Sequence, residues 1–161
     1  MDALESARDA AWRRHANPKS GWSRLLVTPV LLYAAYRRDG KIAALALAFT
    51  VVNPVLFSPP ADDDAWMTRV VLAERWWIEE REEDVLAASY PAVLNLINLP
   101  VFAYAFLAAY RKRPVRAAVA GLASILLKLR FVDELVRRYD AETAGSESVG
   151  SESTGERSDA K

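Results

Sequence analysis

The chain has 161 residues, 52% of them apolar, with 21 basic and 21 acidic side chains, one histidine and no cysteine. That length suits one domain. The lack of cysteine excludes disulfides, zinc–thiolate sites, iron–sulfur clusters and cysteine nucleophiles. A single histidine excludes a histidine-rich metal site within one chain, so neither metal nor cofactor is expected. The even charge balance gives no reason to expect a nucleic-acid partner.

Residues 3–16 begin the chain with a predicted helix. Its 3.6-residue period places Leu4, Ala7, Ala11 and His15 on one stripe, with Trp12 beside it. The Asn17-Pro18 step is expected to end that helix, because the residue before proline disfavours the helical region. The opening segment is charged and has no early apolar run, so no cleavable signal is expected. His15 stands in the stretch WRRHANPKSGW (12–22) and has two readings. It is either the hydrogen-bonding end of an amphipathic helix or a general acid/base, which would need positioned partners.

Four apolar stretches follow, at 22–36, 42–57, 85–110 and 115–132. A helix needs roughly 20 apolar residues to cross a bilayer. The third stretch passes easily, and the fourth passes with Arg116 and Lys128 near its ends. The first two are short and draw on aromatics such as Trp22, Tyr33, Tyr36 and Phe57 at the interface. Ile42–Phe49 is apolar all round. A helix of that kind is buried in a large core or in lipid, and a chain this small has no such core. The alternative is a soluble or peripheral helical bundle, whose helices should each show a polar face.

The connections imply two hairpins. Asp39-Gly40 is a turn signal between the first two stretches. Pro114 can open the helix that follows RKRPVR. The hairpin loops carry Arg37, Arg38, Lys41, Arg111, Lys112, Arg113 and Arg116, while the opposite side carries more basic residues over a greater length. The positive-inside rule slightly favours termini in the cytoplasm, and the dense loops argue the other way.

With four crossings, the N-terminal segment, residues 58–84 and the end of the fourth helix share one side. Residues 64–82 read as an interfacial amphipathic helix. Its apolar face holds Trp66, Met67, Val70, Val71, Ala73, Trp77 and Ile78, with Glu74 inside that face and Arg69, Arg75 and Glu79 outside it. A lone carboxylate there needs a partner or a proton. On the fourth helix Lys128 falls at the edge of the apolar face, whereas Asp133 can pair with Arg137 on the other side. The expectation is a Glu74–Lys128 pair near the membrane surface, since charges in such places find partners. The competing readings are a snorkelling Lys128 and a surface Glu74 beside Arg75. The candidate polar cluster on this face is His15, Asn17, Asn53, Glu74, Arg75, Lys128 and Asp133.

Pro29, Pro54, Pro91 and Pro100 interrupt the apolar stretches, each removing a backbone donor. Asn53-Pro54 is expected to mark the exit of the second helix. In the third, Pro91, Asn95, Asn98 and Phe102 share a stripe. Asn95 and Asn98 are either helix–helix glue or the lining of a passive pathway. The Ser-, Glu- and Gly-rich residues 141–161 read as a disordered acidic tail outside a helical domain of residues 1–140. No nucleophile elbow, phosphate loop, dinucleotide fingerprint or zinc-protease motif is present.

Taken together, WRRHANPKSGW, NPVLFSPP, VLAERWW and KLRFVD resemble a family of small, uncharacterised multi-pass membrane proteins found largely in haloarchaea, defined only as a domain of unknown function. The resemblance covers residues 12–139 and leaves out the acidic run EEREED. It carries over to Trp12, His15, Asn17, Pro18, Ser20, Gly21, Trp22, Asn53, Pro54, Glu74, Arg75, Lys128, Phe131 and Asp133. It implies a multi-pass membrane fold and supplies no activity. The expected fold is therefore all-α and integral to the cell membrane: four transmembrane helices in two hairpins plus interfacial amphipathic helices. The expected function is a non-enzymatic membrane component that binds a lipid or small molecule or serves in an assembly, its protein partners unknown. The alternative is a small enzyme at the lipid interface with His15 as acid/base.

Overall fold

The computed structural model describes residues 3–155, with side chains over 5–145. Among the described residues seven helices follow in order: α1 Ala3–His15, α2 Pro18–Leu25, α3 Val27–Arg37, α4 Gly40–Leu56, α5 Trp66–Glu79, α6 Ala92–Tyr110 and α7 Pro114–Gly155. No strand occurs among the described residues, so the fold is all-α.

Both expected hairpins form. In the first, Arg38 adopts the left-handed conformation that ends α3, with φ of 57°. Asp39 then caps α4, its carboxylate accepting from the backbone N–H groups of Lys41 and Ile42. The left-handed position is thus Arg38 rather than the glycine of the Asp39-Gly40 signal, and Gly40 becomes the first residue of α4. In the second hairpin Lys112 turns at φ of 58° and Pro114 opens α7, where its missing N–H is no loss.

α3 lies at the centre, packed on α4 to one side and on α6 and α7 to the other. The contact is made of small side chains: Ala35 of α3, Ala105, Ala108 and Ala109 of α6, and Ala117 and Ala120 of α7 are all buried around Leu32. Alanines let helix backbones approach closely, so dispersion contacts hold the bundle together. A Cβ on Gly121 would come within 2.6 Å of Leu32, so that glycine belongs to the same close approach.

A second core lies toward the other end of α7. Met67, Val70, Ala73, Trp76 and Trp77 of α5 bury against Phe131, Val132, Leu135 and Val136. α1 and α2 close over α5. The ion pairs lie in this half, on α1, α5, the segment after α5 and α7 from Lys128 onward; Arg8–Glu79 at 2.6 Å and Arg69–Asp140 at 3.0 Å are examples. The other half shows apolar side chains outward. Leu45 and Val51 of α4, Leu99 and Phe106 of α6, and Val119 and Leu122 of α7 are 43–79% exposed.

Several boundaries differ from the sequence reading. The stretch at 22–36 is divided at Leu26, so Trp22 belongs to α2. The stretch at 85–110 is helical only from Ala92, with turns before it. Asn53-Pro54 lies inside α4, which continues to Leu56. Among the described residues α6 alone is long and apolar enough to cross a membrane by length and composition. Its 19 residues reach about 28 Å. α4 is apolar but has 17 residues, and α3 has 11, about 16 Å.

Within the expected acidic tail, α7 continues over residues 141–155. Extending an existing helix fixes one residue per added hydrogen bond, which is far easier than nucleating a new one. Arg81 also ties to Glu142 at 3.1 Å, and Thr143 Oγ1 donates to the Tyr139 carbonyl. Residues 156–161 lie outside the described residues.

Candidate functional site

The site is assembled where α1 meets α2. α1 stops at His15, but Asn17-Pro18 begins a helix as well as following one. Asn17 is extended, its side-chain oxygen accepts from the Lys19 N–H at 2.9 Å, and Pro18 takes the first position of α2. The Asn17 amide also donates to the Ser58 carbonyl at 2.9 Å, which anchors the start of α2 to the chain leaving α4. α2 then presents Ser20, Ser23 and Arg24 on one face, at the i, i+3, i+4 spacing. Gly21 brings α2 close to α5, because a Cβ there would collide with Met67.

A directed chain of hydrogen bonds results. Arg24 Nη1 lies 2.6 Å from His15 Nε2. A guanidinium only donates, so Nε2 carries the lone pair and Nδ1 the proton. Nδ1–H therefore donates to Ser20 Oγ at 3.2 Å. Ser20 Oγ donates to Asn53 Oδ1 at 2.6 Å, Asn53 Nδ2 donates to Ser23 Oγ at 2.9 Å, and Ser23 Oγ donates to the Ser20 carbonyl at 3.0 Å. His15, Ser20 and Asn53 are all buried. Asn53 is thus a cross-link from α4 to α2 with both ends of its amide satisfied.

Burial, reinforced by the Arg24 charge and opposed by Glu74, lowers the His15 pKa to about 4. The ring is neutral at pH 7. Both of its nitrogens are engaged by the protein, and the Trp12 ring lies alongside, tilted, with ring centroids 6.0 Å apart. A general acid/base needs a nitrogen within reach of its substrate.

Arg24 connects this network to a cavity of about 260 Å3 lined by α2, α3, α4, α5, α6 and α7. The other charged residues lining it are Glu74 and Lys128, whose Oε1 and Nζ are 3.2 Å apart. Lys128 also sits over the Phe131 ring, 4.8 Å from its centroid. The pair is not fully buried: 20% of the Glu74 side chain and 40% of that of Lys128 are exposed. Thr28, Thr50, Asn98 and Ser124 add polar groups to walls that are otherwise apolar. Pro54 leaves the Thr50 carbonyl without its helical donor. The side-chain oxygen of Asn98 is buried without a hydrogen-bond partner among the described residues.

The family model described as a family of unknown function (DUF6653) matches residues 3–156. The chain belongs to DUF6653. No curated protein and no solved structure matches it. The match to DUF6653 is wider than the resemblance at 12–139, taking in α1 and the whole described length of α7.

Within this DUF6653 chain the candidate cluster is divided. His15, Asn53, Glu74 and Lys128 gather around Arg24, and Asn17 holds the turn that places them. Arg75 points elsewhere, pairing with Asp9 at 2.5 Å and Glu79 at 2.8 Å on the α1 side of α5. Asp133 sits on the outer face of α7 between Arg130 at 3.3 Å and Arg137 at 3.1 Å. Both belong to surface ion pairs because a 100° step on a helix carries them away from the cavity-facing stripe. The Asn95–Asn98 stripe is divided too. Asn95 donates to the Val85 carbonyl at 3.2 Å and secures the turns before α6, so Asn98 alone lines the cavity. Sequence reasoning missed Arg24 and Ser23. Their shared face with Ser20 was the available signal, hidden by reading residues 22–36 as a single apolar stretch.

Proposed function

We propose that the protein is a non-enzymatic component of the cell membrane that binds a lipid or small molecule in the cavity beside Arg24, Glu74 and Lys128. One observation carries this reading. The cavity's charged groups lie where the outward apolar surface of α3, α4, α6 and the first half of α7 gives way to the ion-paired half made of α1, α5 and the rest of α7. A contiguous exposed apolar surface marks a contact with lipid or another protein. Polar groups at its border suit an amphiphile with its head toward water.

In this arrangement α2–α3, α4, α6 and the first half of α7 make four crossings. α1 and α5 lie at the interface. The short helices are accommodated by local thinning of the bilayer and by flanking aromatics and basic side chains. Tyr36 and Tyr110 stand at helix ends, with Lys112 over Tyr36 at 4.4 Å and Arg38 over Tyr110 at 4.7 Å.

The test is extraction. Membranes from cells making the full chain are washed with alkaline carbonate or urea, then with detergent. Retention until detergent is the expected result. Release by carbonate ends the four-crossing reading and makes the exposed apolar face a protein contact.

A further inference from the structure

Arg24 has the features of an anion receptor. Among the described residues its only side-chain hydrogen bond is Nη1 to a neutral imidazole, and it forms no ion pair there. The remaining N–H groups of the fork have no partner among the described residues. A guanidinium presents donors in a plane that matches a carboxylate or phosphate. The ionisable groups in the cavity wall are Arg24, Lys128 and Glu74. Lys128 and Glu74 offset one another, so one positive charge is left uncompensated. The rest of the wall is dominated by carbon, with Val70, Phe102, Ile125 and Leu129 facing the same space. Asn98 adds an unsatisfied acceptor for a hydroxyl or N–H.

We propose that the cavity holds the singly anionic head of an amphiphile, a carboxylate or a phosphodiester, with Arg24 on the anion and the first carbons of the chain against Val70, Phe102, Ile125 and Leu129. The inference rests on the ligand-binding reading above and names its ligand class. Size supports a head and a short length of chain. The volume of about 260 Å3 is just below the roughly 300–1,000 Å3 typical of drug-sized sites. Both the uncompensated charge and the apolar wall are needed for the ligand: the charge selects the head, and the wall favours an attached chain over a free ion.

The charges make opposite predictions for neighbouring residues. Glu74→Gln removes the one negative charge and leaves two positive ones, so an anion binds more tightly. Lys128→Gln leaves Glu74 to cancel Arg24, so an anion binds more weakly. A purely structural role for the pair predicts that both changes weaken binding or leave it unaltered.

The experiment is isothermal titration calorimetry on the full chain in an uncharged detergent. The probes are decanoate, dihexanoyl phosphatidylglycerol, dihexanoyl phosphatidylcholine and inorganic phosphate. The first two are expected to bind, and the last two to bind at least about tenfold more weakly, the loss expected for one charge-assisted fork. Decanoate and phosphatidylglycerol separate a free fatty acid from a membrane lipid as the source of the head. Glu74→Gln is expected to tighten binding by about threefold or more, and Arg24→Gln to weaken it by about tenfold. Arg24→Lys, which keeps a charge and a donor for His15, should fall between wild type and Arg24→Gln and serves as the folded control. Equal affinity for phosphatidylcholine and phosphatidylglycerol, or weaker anion binding by Glu74→Gln, overturns the anionic head while leaving a ligand-binding cavity. Inorganic phosphate binding as tightly as phosphatidylglycerol overturns the amphiphile. Failure of every probe overturns the ligand-binding reading together with this one.

Discussion

Arg24 Nη1 and His15 Nε2 are 2.6 Å apart, and that contact fixes which nitrogen of the ring bears the proton. Protonating Nε2 would place two cationic donors against each other in a buried site. The His15 pKa is therefore lowered, from 6.5 to about 4, first by burial and then by Arg24. In the unfolded chain the ring titrates near its ordinary value. Between those two pH values the unfolded chain binds the extra proton, so stability rises with pH across the window. The contribution is full above pH 6.5 and is lost as pH falls toward 4. It amounts to at most about 3 kcal/mol. Thermal unfolding midpoints of the purified protein at pH 4.5 and 7.5 should differ, and the difference should shrink in His15→Asn, which keeps a donor for Ser20 and does not titrate.

Among the described residues Asn53 links the Ser20 and Ser23 hydroxyls of α2 to α4. Replacing it with alanine leaves the Ser20 hydroxyl without an acceptor and Ser23 Oγ without a donor in a buried setting. Each unsatisfied buried group costs about 1–3 kcal/mol. Asn53→Ala should lower stability by about that amount or more. In a double-mutant cycle with Ser20→Ala the two losses should be non-additive, because they share one hydrogen bond. Additive losses in chemical unfolding would mean that the Ser20–Asn53 contact carries no energy.

These two residues show what was legible in the sequence and what was not. The hairpins were readable because Asp39 and Pro114 act locally: a cap and a fixed φ need no tertiary partner. Glu74 and Lys128 were readable because each breaks an apolar stripe on its own helix, and a helical wheel exposes that. The Arg24–His15 contact joins two helices across the Asn17-Pro18 turn. Its geometry depends on the cap at Asn17 and on the break at Leu26, neither of which hydrophobic periodicity reports. The wheels also set Arg75 outside the apolar face and Asp133 beside Arg137, which lies 3.1 Å from it, but partners on other helices were less legible. A wheel orders side chains around one axis but does not say which neighbouring helix, here α1 for Arg75, supplies the partner.

Charge exchange tests the Glu74–Lys128 contact directly. With Nζ and Oε1 at 3.2 Å and both side chains partly exposed, the pair is worth about 0.2–1 kcal/mol. Single reversals put like charges at that distance: Glu74→Lys sets two cations beside Arg24, and Lys128→Glu sets two carboxylates together. Each single variant should accumulate less and melt lower than wild type. The Glu74→Lys/Lys128→Glu double variant should recover part of the loss. A double variant no better than the worse single one would show that the two charges act independently.

The lack of cysteine makes the topology accessible to a clean labelling experiment. Gly40 has open space where a Cβ would be placed, so Gly40→Cys is tolerated. Arg113→Cys and Ala61→Cys replace exposed residues in connecting segments. Four crossings require Gly40 and Arg113 to lie on one side, since α3–α4 and α6–α7 each turn back there, and Ala61 on the other. A membrane-impermeant maleimide applied to intact cells should label either Gly40→Cys and Arg113→Cys together or Ala61→Cys alone. The side that reacts also gives the orientation. If the hairpin tips stay unlabelled in intact cells and react once the membrane is opened, the seven basic residues around them face the cytoplasm, as their density in those short loops argues and against the slight preference for cytoplasmic termini. Labelling of Gly40→Cys and Ala61→Cys from the same side would mean that α4 does not cross, and the apolar face it shares with α6 and α7 would need a protein partner instead of lipid.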